Sequence, residues 1–111
     1  MKDETVEAET PTQLFFNATK KRPWVRDTYI AIQSAMALGI REVPDFNHLA
    51  DEIMPRVDRI PNAGYSLEQE GLDALGLLFD YECVEKGSTN YHEYKFTRKS
   101  DGKSVVGTVK V

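Results

Sequence analysis

The chain has 111 residues, 41% of them hydrophobic and 29% charged, with a formal net charge of −4. That size and composition fit one small domain able to bury its own core. The single cysteine, Cys83, excludes an internal disulfide framework, no apolar run reaches the length of a membrane span, and the N-terminal residues lack a signal-peptide pattern. A soluble, cytoplasmic protein without membrane attachment is the expectation.

In chain order, residues 1–13 are acidic and poor in apolar side chains, too few to offset the entropy of ordering, which predicts a disordered tail. Leu14, Phe15 and Phe16 end it, and three adjacent apolar residues predict docking onto the domain that fills 14–111. Pro23 suits the first turn of a helix. Val25, Tyr29, Ile32 and Met36 then recur at helical spacing, Ala31, Ala35 and Leu38 widen the stripe, and Gly39 stops it. Residues 40–43 read as a short extended segment, because Pro44 disfavours helix at Val43. Asp45 is a natural N-cap for a second helix presenting Phe46, Leu49, Ala50 and Ile53, which Pro55 ends. Residues 55–65, with Pro55, Pro61, Asn62 and Gly64, read as an irregular loop.

Ser66 to Gln69 fits a capping box and opens a third helix over 66–80, with Leu67, Leu72, Leu75, Leu78 and Phe79 on its apolar side. Gly71 and Gly76 cost about 1 kcal/mol each relative to Ala inside a helix, which predicts close approach of a neighbouring helix. Asp101-Gly102 signals a two-residue hairpin turn. That loop sets Phe96 opposite Gly107, Tyr94 opposite Val109 and Arg98 opposite Val105. A four-residue loop at 87–90 pairs Tyr81 with Phe96, Cys83 with Tyr94 and Glu82 with Lys95. Both registers turn the same residues of the middle strand inward. The fold class is therefore α+β, three helices followed by a three-stranded antiparallel meander.

Charge is segregated along this order. Residues 11–40 hold Lys20, Lys21, Arg22 and Arg26 against Asp27, and residues 86–111 hold six basic side chains against two acidic ones. Residues 63–85 hold six acidic side chains and no basic one. Segregation of this kind points to a charged partner, with a self-complementary solvated surface as the plain alternative.

Helix, short strand, helix, helix and hairpin, in that order, resembles the winged-helix variant of the helix-turn-helix family over residues 23–111. The resemblance implies DNA binding in transcription regulation, with the third helix in the major groove and a wing at 87–90 touching backbone. This third helix exposes Glu68, Glu70 and Asp73 and offers only Gln69 as a base reader, and carboxylates repel phosphates. The phosphate contacts are therefore expected from Lys20, Lys21, Arg22, Arg26, Arg98, Lys99 and Lys103. The function expected is a non-enzymatic regulatory module for nucleic acid, DNA first. The alternative is an adaptor or inhibitor that turns Glu68, Glu70 and Asp73 toward a basic protein, or toward a second copy of itself.

Catalysis is the least supported class. The hairpin register sets Glu85 opposite His92 with Cys83 diagonal to it, a nucleophile, base and orienter in outline. A packed, inert cysteine below a polar sheet edge is the reading preferred here. His48 stands among Asp45, Asp51 and Glu52 on a solvated helix face. No zinc spacing, phosphate loop or dinucleotide fingerprint is present, so neither catalytic residue, cofactor nor metal is expected.

Overall fold

The computed structural model describes residues 10–53, 66–87 and 90–111. Most of the expected tail, the expected loop at 55–65 and the centre of the expected wing, 88–89, lie outside the described residues. Within them the domain is α+β, with a four-stranded mixed sheet packed against helices on one face. No described helix is long and apolar enough to cross a membrane.

The first helix, α1 (Pro11–Ala18), begins inside the segment expected to be tail. Its signal is local chemistry that bulk composition hides. Thr10 accepts from the Gln13 amide at 3.1 Å, the Gln13 side chain accepts from the Thr10 amide at 3.0 Å, and Pro11 occupies the first turn. This helix docks through Phe15, which is fully buried, while Leu14 and Phe16 stay partly exposed. The Phe15 ring lies 4.9 Å from Tyr29 on α2 (Pro23–Ala37).

In α2, Val25, Thr28, Ala31, Ile32, Ala35 and Met36 are buried as the spacing predicts, but Leu38 is exposed because it caps the helix. Gly39 follows at φ +75°. The Ile40 amide donates to Ala35 O at 2.9 Å and the Gly39 amide to Met36 O at 3.2 Å, the bonding of a left-handed helix stop. The chain leaves extended as β1 (Glu42–Val43), and Asp45 Oδ1 then accepts from the Asn47 and His48 amides to start α3 (Phe46–Ile53).

The third expected helix is shorter and differently capped. It is α4 (Glu68–Leu75), and Phe79 opens a strand instead of closing the helix. Ser66 Oγ accepts from Glu68 at 3.2 Å, not from Gln69, so the expected box is absent. Glu68 sits at φ +59°, a left-handed conformation that costs a non-glycine residue about 1 kcal/mol or more. It is held there by its neighbour: Leu67 is buried and its amide donates to Lys110 O at 2.8 Å. Gly71 does mark a close crossing, since a Cβ there would lie 3.1 Å from Val25 Cγ2 of α2. Gly76 instead caps the helix beneath the Tyr81 ring.

The remaining strands are β2 (Phe79–Lys86), β3 (Tyr91–Arg98) and β4 (Ser104–Lys110), in sheet order β1-β4-β3-β2. The three-stranded meander is thus extended by β1, which runs parallel to β4 and pairs Val43 with Gly107. Tyr81–Phe96, Glu82–Lys95 and Cys83–Tyr94 pair as expected. In the second hairpin the register is two residues away from expectation, with Phe96 opposite Val105 and Tyr94 opposite Gly107. The loop spans four residues, closed by Arg98 N to Lys103 O at 2.7 Å, and only Gly102 is left-handed. A slip of two keeps every side chain on its face, so alternation alone could not detect it.

Phe96 lies at the centre of the core, 5.7 Å from Phe46 and 6.1 Å from Phe79. Gly107 is covered by an aromatic ring, but the ring is Phe46 of α3 and not Phe96. A Cβ at 107 would overlap Phe46, so this glycine lets α3 approach the sheet.

Candidate nucleic-acid interface

The two basic segments meet different fates. At the junction of α1 and α2, Arg26 is a structural residue. Its Nε donates to Thr19 Oγ1 at 2.9 Å, its Nη2 donates to Phe16 O at 2.6 Å, and the guanidinium lies 5.3 Å from the centre of the Phe16 ring. It thereby satisfies a carbonyl that the end of α1 leaves without a helical partner. Arg22 pairs with Glu68, at 3.5 Å, and with Glu70 of α4. The structure therefore joins two sets the sequence suggested as separate surfaces, because part of the basic segment neutralises part of the acidic helix. Asp73 accepts from Gln69 Nε2 at 2.8 Å. Lys20 and Lys21 remain exposed, with no ion pair among the described residues.

At the turn between β3 and β4, Arg98 is likewise engaged within the protein, through three of its five N–H groups. Nε and Nη2 grip the two oxygens of Asp101 at 3.0 and 2.6 Å, and Nη1 donates to Gln33 Oε1 at 2.7 Å. The Arg98 hydrogen bond, with that of the Lys103 amide, holds the Asp101 carboxyl down at a pKa of about 2. This pair rigidifies the turn and leaves the lysines facing solvent.

Those lysines gather where the sequence order could not show it. A groove of about 760 Å³ runs between the end of α2, β1 and the start of β4, and its walls include Arg41, Lys95, Lys103 and Ser104, with Glu42 as the one carboxylate. Arg41 is there because its carbonyl accepts from Val106 N at 2.9 Å as β1 joins the sheet, and Lys95 faces Val106 from the other side. Arg41, Lys95 and Lys103 make no ion pair among the described residues. Lys99 is exposed on the far side of the same turn. Across the sheet, Glu42 and Glu82 bound this strip, since they flank Val106 and Lys95 in one cross-strand row. Arg41 was not among the expected phosphate contacts. The only signal for it was its place in the extended segment after Gly39, and the pairing of that segment with β4 could not be read from the sequence.

The cysteine–histidine–carboxylate outline is not assembled. A register shift between Cys83 and Glu85 sets Glu85 opposite Glu93 and Lys86 opposite His92. Cys83 is exposed, so the expectation of a packed thiol is corrected as well. Burial, then the adjacent Cys83 and Tyr81, push the Tyr94 phenol above its ordinary pKa and keep it protonated. His48 Nε2 meets Glu52 at 3.2 Å on an exposed helix face. Among the described residues no group of three or more His, Cys, Asp or Glu could hold a metal ion. No family model, curated protein or solved structure matches the chain.

Proposed function

We propose that the chain is a non-enzymatic, winged-helix-like regulatory module that binds nucleic acid, DNA first, through the turn between β3 and β4. The observation that carries this reading is the groove in which Arg41, Lys95 and Lys103 converge, with Glu42 the one carboxylate in its wall and no ion pair among the described residues, and with Lys99 beside it. These cations are exposed and make no ion pair among the described residues, so they are open to replace the counterions of a phosphate backbone. Element order from α2 through β3 supports the winged-helix resemblance, and the turn at 99–102, between β3 and β4, supplies a second, basic tip beyond the expected wing at 87–90. Arg22, Arg26 and Arg98 leave the list of phosphate contacts, since Arg98 braces the turn and Arg22 and Arg26 brace the junction of α1, α2 and α4; Lys20 and Lys21 are auxiliary.

The test is anisotropy of labelled duplex and single-stranded DNA against salt. Four phosphate contacts predict a log–log slope of about −3.6 on duplex, hence roughly 150-fold weaker binding at 200 than at 50 mM salt. Absence of binding at 50 mM refutes the reading. One observation keeps a protein-binding role for α4 as the second reading: Glu68 and Glu70 remain 57% and 68% exposed even with Arg22 beside them. Reversing both charges should then abolish capture of a basic partner while leaving duplex binding equal or stronger.

A further inference from the structure

A second cleft, of about 390 Å³, opens on the other side of the β3–β4 turn, between the N-terminal end of α1, the middle of α2 and residues 77–79. Its volume is near the lower end of the range for small-molecule sites, and such sites pair an apolar body with a few convergent polar groups. The apolar wall is made by Tyr29, Leu77 and Leu78, all half-buried. The polar end is made by Gln33, Arg98 and Lys99.

The charge at that end is specific. Asp101 neutralises Arg98, and Lys99 has no ion-pair partner among the described residues, so the cleft carries one uncompensated positive charge. Arg98 uses three of its five N–H groups on Asp101 and Gln33. The other two belong to a guanidinium whose orientation is already fixed, so a bound oxyanion need not order it. The backbone of Lys99 is fixed too, since its amide donates to Leu78 O at 3.0 Å. Thr12, in the first turn of α1, lines the cleft where the helix dipole favours negative charge.

We infer that this cleft binds a small organic monoanion, a carboxylate head on an apolar body, with the head at Arg98 and Lys99 and the body against Leu77, Leu78 and Tyr29. One net positive charge selects a monoanion over a dianion, and the Leu77–Leu78 wall selects an amphiphile over inorganic phosphate. The cleft shares Lys99 with the nucleic-acid reading but lies apart from the groove lined by Arg41 and Lys103, and titration without nucleic acid lets the two readings fail separately.

The test titrates the full-length ¹⁵N-labelled chain with sodium octanoate, and in parallel with 1-octanol, in the absence of nucleic acid. Saturating amide shifts are expected at Gln33, Leu78, Lys99 and Ser100, with octanoate tighter than octanol by about five-fold, the worth of a partly screened ion pair. Lys99→Gln should remove most of that advantage and leave octanol binding unchanged. Ser100→Trp, a bulky change at an exposed position on the cleft wall, should weaken both ligands. Equal affinity for the two ligands would overturn the inference. So would the absence of saturating shifts, shifts centred on the exposed Leu38 or Val84, or octanoate binding indifferent to both substitutions.

Discussion

Residues 20–26 and 95–103 carry four cations each, yet the fold uses them differently. In both segments the arginines are taken up internally and the lysines are left in water. Arg26 and Arg22 serve the junction of α1, α2 and α4, and Arg98 serves its own turn. The planar fork of arginine can bond several acceptors at once, which suits it to carbonyls at a helix end and to a carboxylate in a tight turn. A lysine ammonium does so less well and stays hydrated. The segments then diverge in surroundings. Lys95 and Lys103 meet Arg41 across a groove, whereas Lys20 and Lys21 stand at the far end of α1, about 12 Å of helix from the cleft at Lys99. A count of basic residues along a sequence therefore overstates the charge offered to a partner, and the overstatement falls on the arginines.

The contrast can be broken at its structural end first. Arg26→Ala removes two hydrogen bonds from a charged donor and a cation–π contact, so unfolding by denaturant should show about 2 kcal/mol lost stability. DNA affinity of the folded variant should be unchanged; a matching loss of affinity would mean that Arg26 contacts phosphate after all. The second effect is a gain. Glu42→Gln with Glu82→Gln removes the carboxylates that bound the groove and should tighten DNA binding by roughly three-fold, about the worth of a screened surface pair. Equal gain from Glu68→Gln with Glu70→Gln would show that the groove has no special place.

The smallest effect concerns acid. Asp101 has a folded pKa of about 2, below its ordinary 3.8, because the carboxylate is bonded to Arg98. A depressed folded pKa stabilises the fold above the ordinary value, and that contribution fades as pH falls from about 4 through 2. Asp101→Asn should flatten the pH dependence of stability in that window and leave it unchanged at pH 7 to 8. A carboxyl titration by NMR centred near 3.8 would contradict the Arg98–Asp101 pair.

Local chemistry was the legible part of this fold. Gly39, Asp45 and the pairing of Tyr81 with Phe96 are stated by their own residues, and each stands where the sequence puts it. Three features were hidden for separate reasons. The capping box at Thr10 lies in a stretch whose composition reads as tail. The two-residue slip of β3 on β4 keeps the faces, so no pattern of burial distinguishes it. Above all, the pairing of β1 with β4 joins residues more than sixty positions apart, and with it came Arg41. The proposed interface was thus half legible: Lys99 and Lys103 from composition, Arg41 and the groove only from topology.

The most direct measurement compares salt slopes of duplex binding for the full chain, for Arg41→Gln/Lys95→Gln/Lys103→Gln, and for Lys20→Gln/Lys21→Gln. Loss of three phosphate contacts should shallow the slope by about 2.7 in the triple variant. The double variant should shift it by less than half as much. Equal slopes for the triple variant and the unmodified chain, or a larger change in the double variant, would contradict the groove as the site of binding.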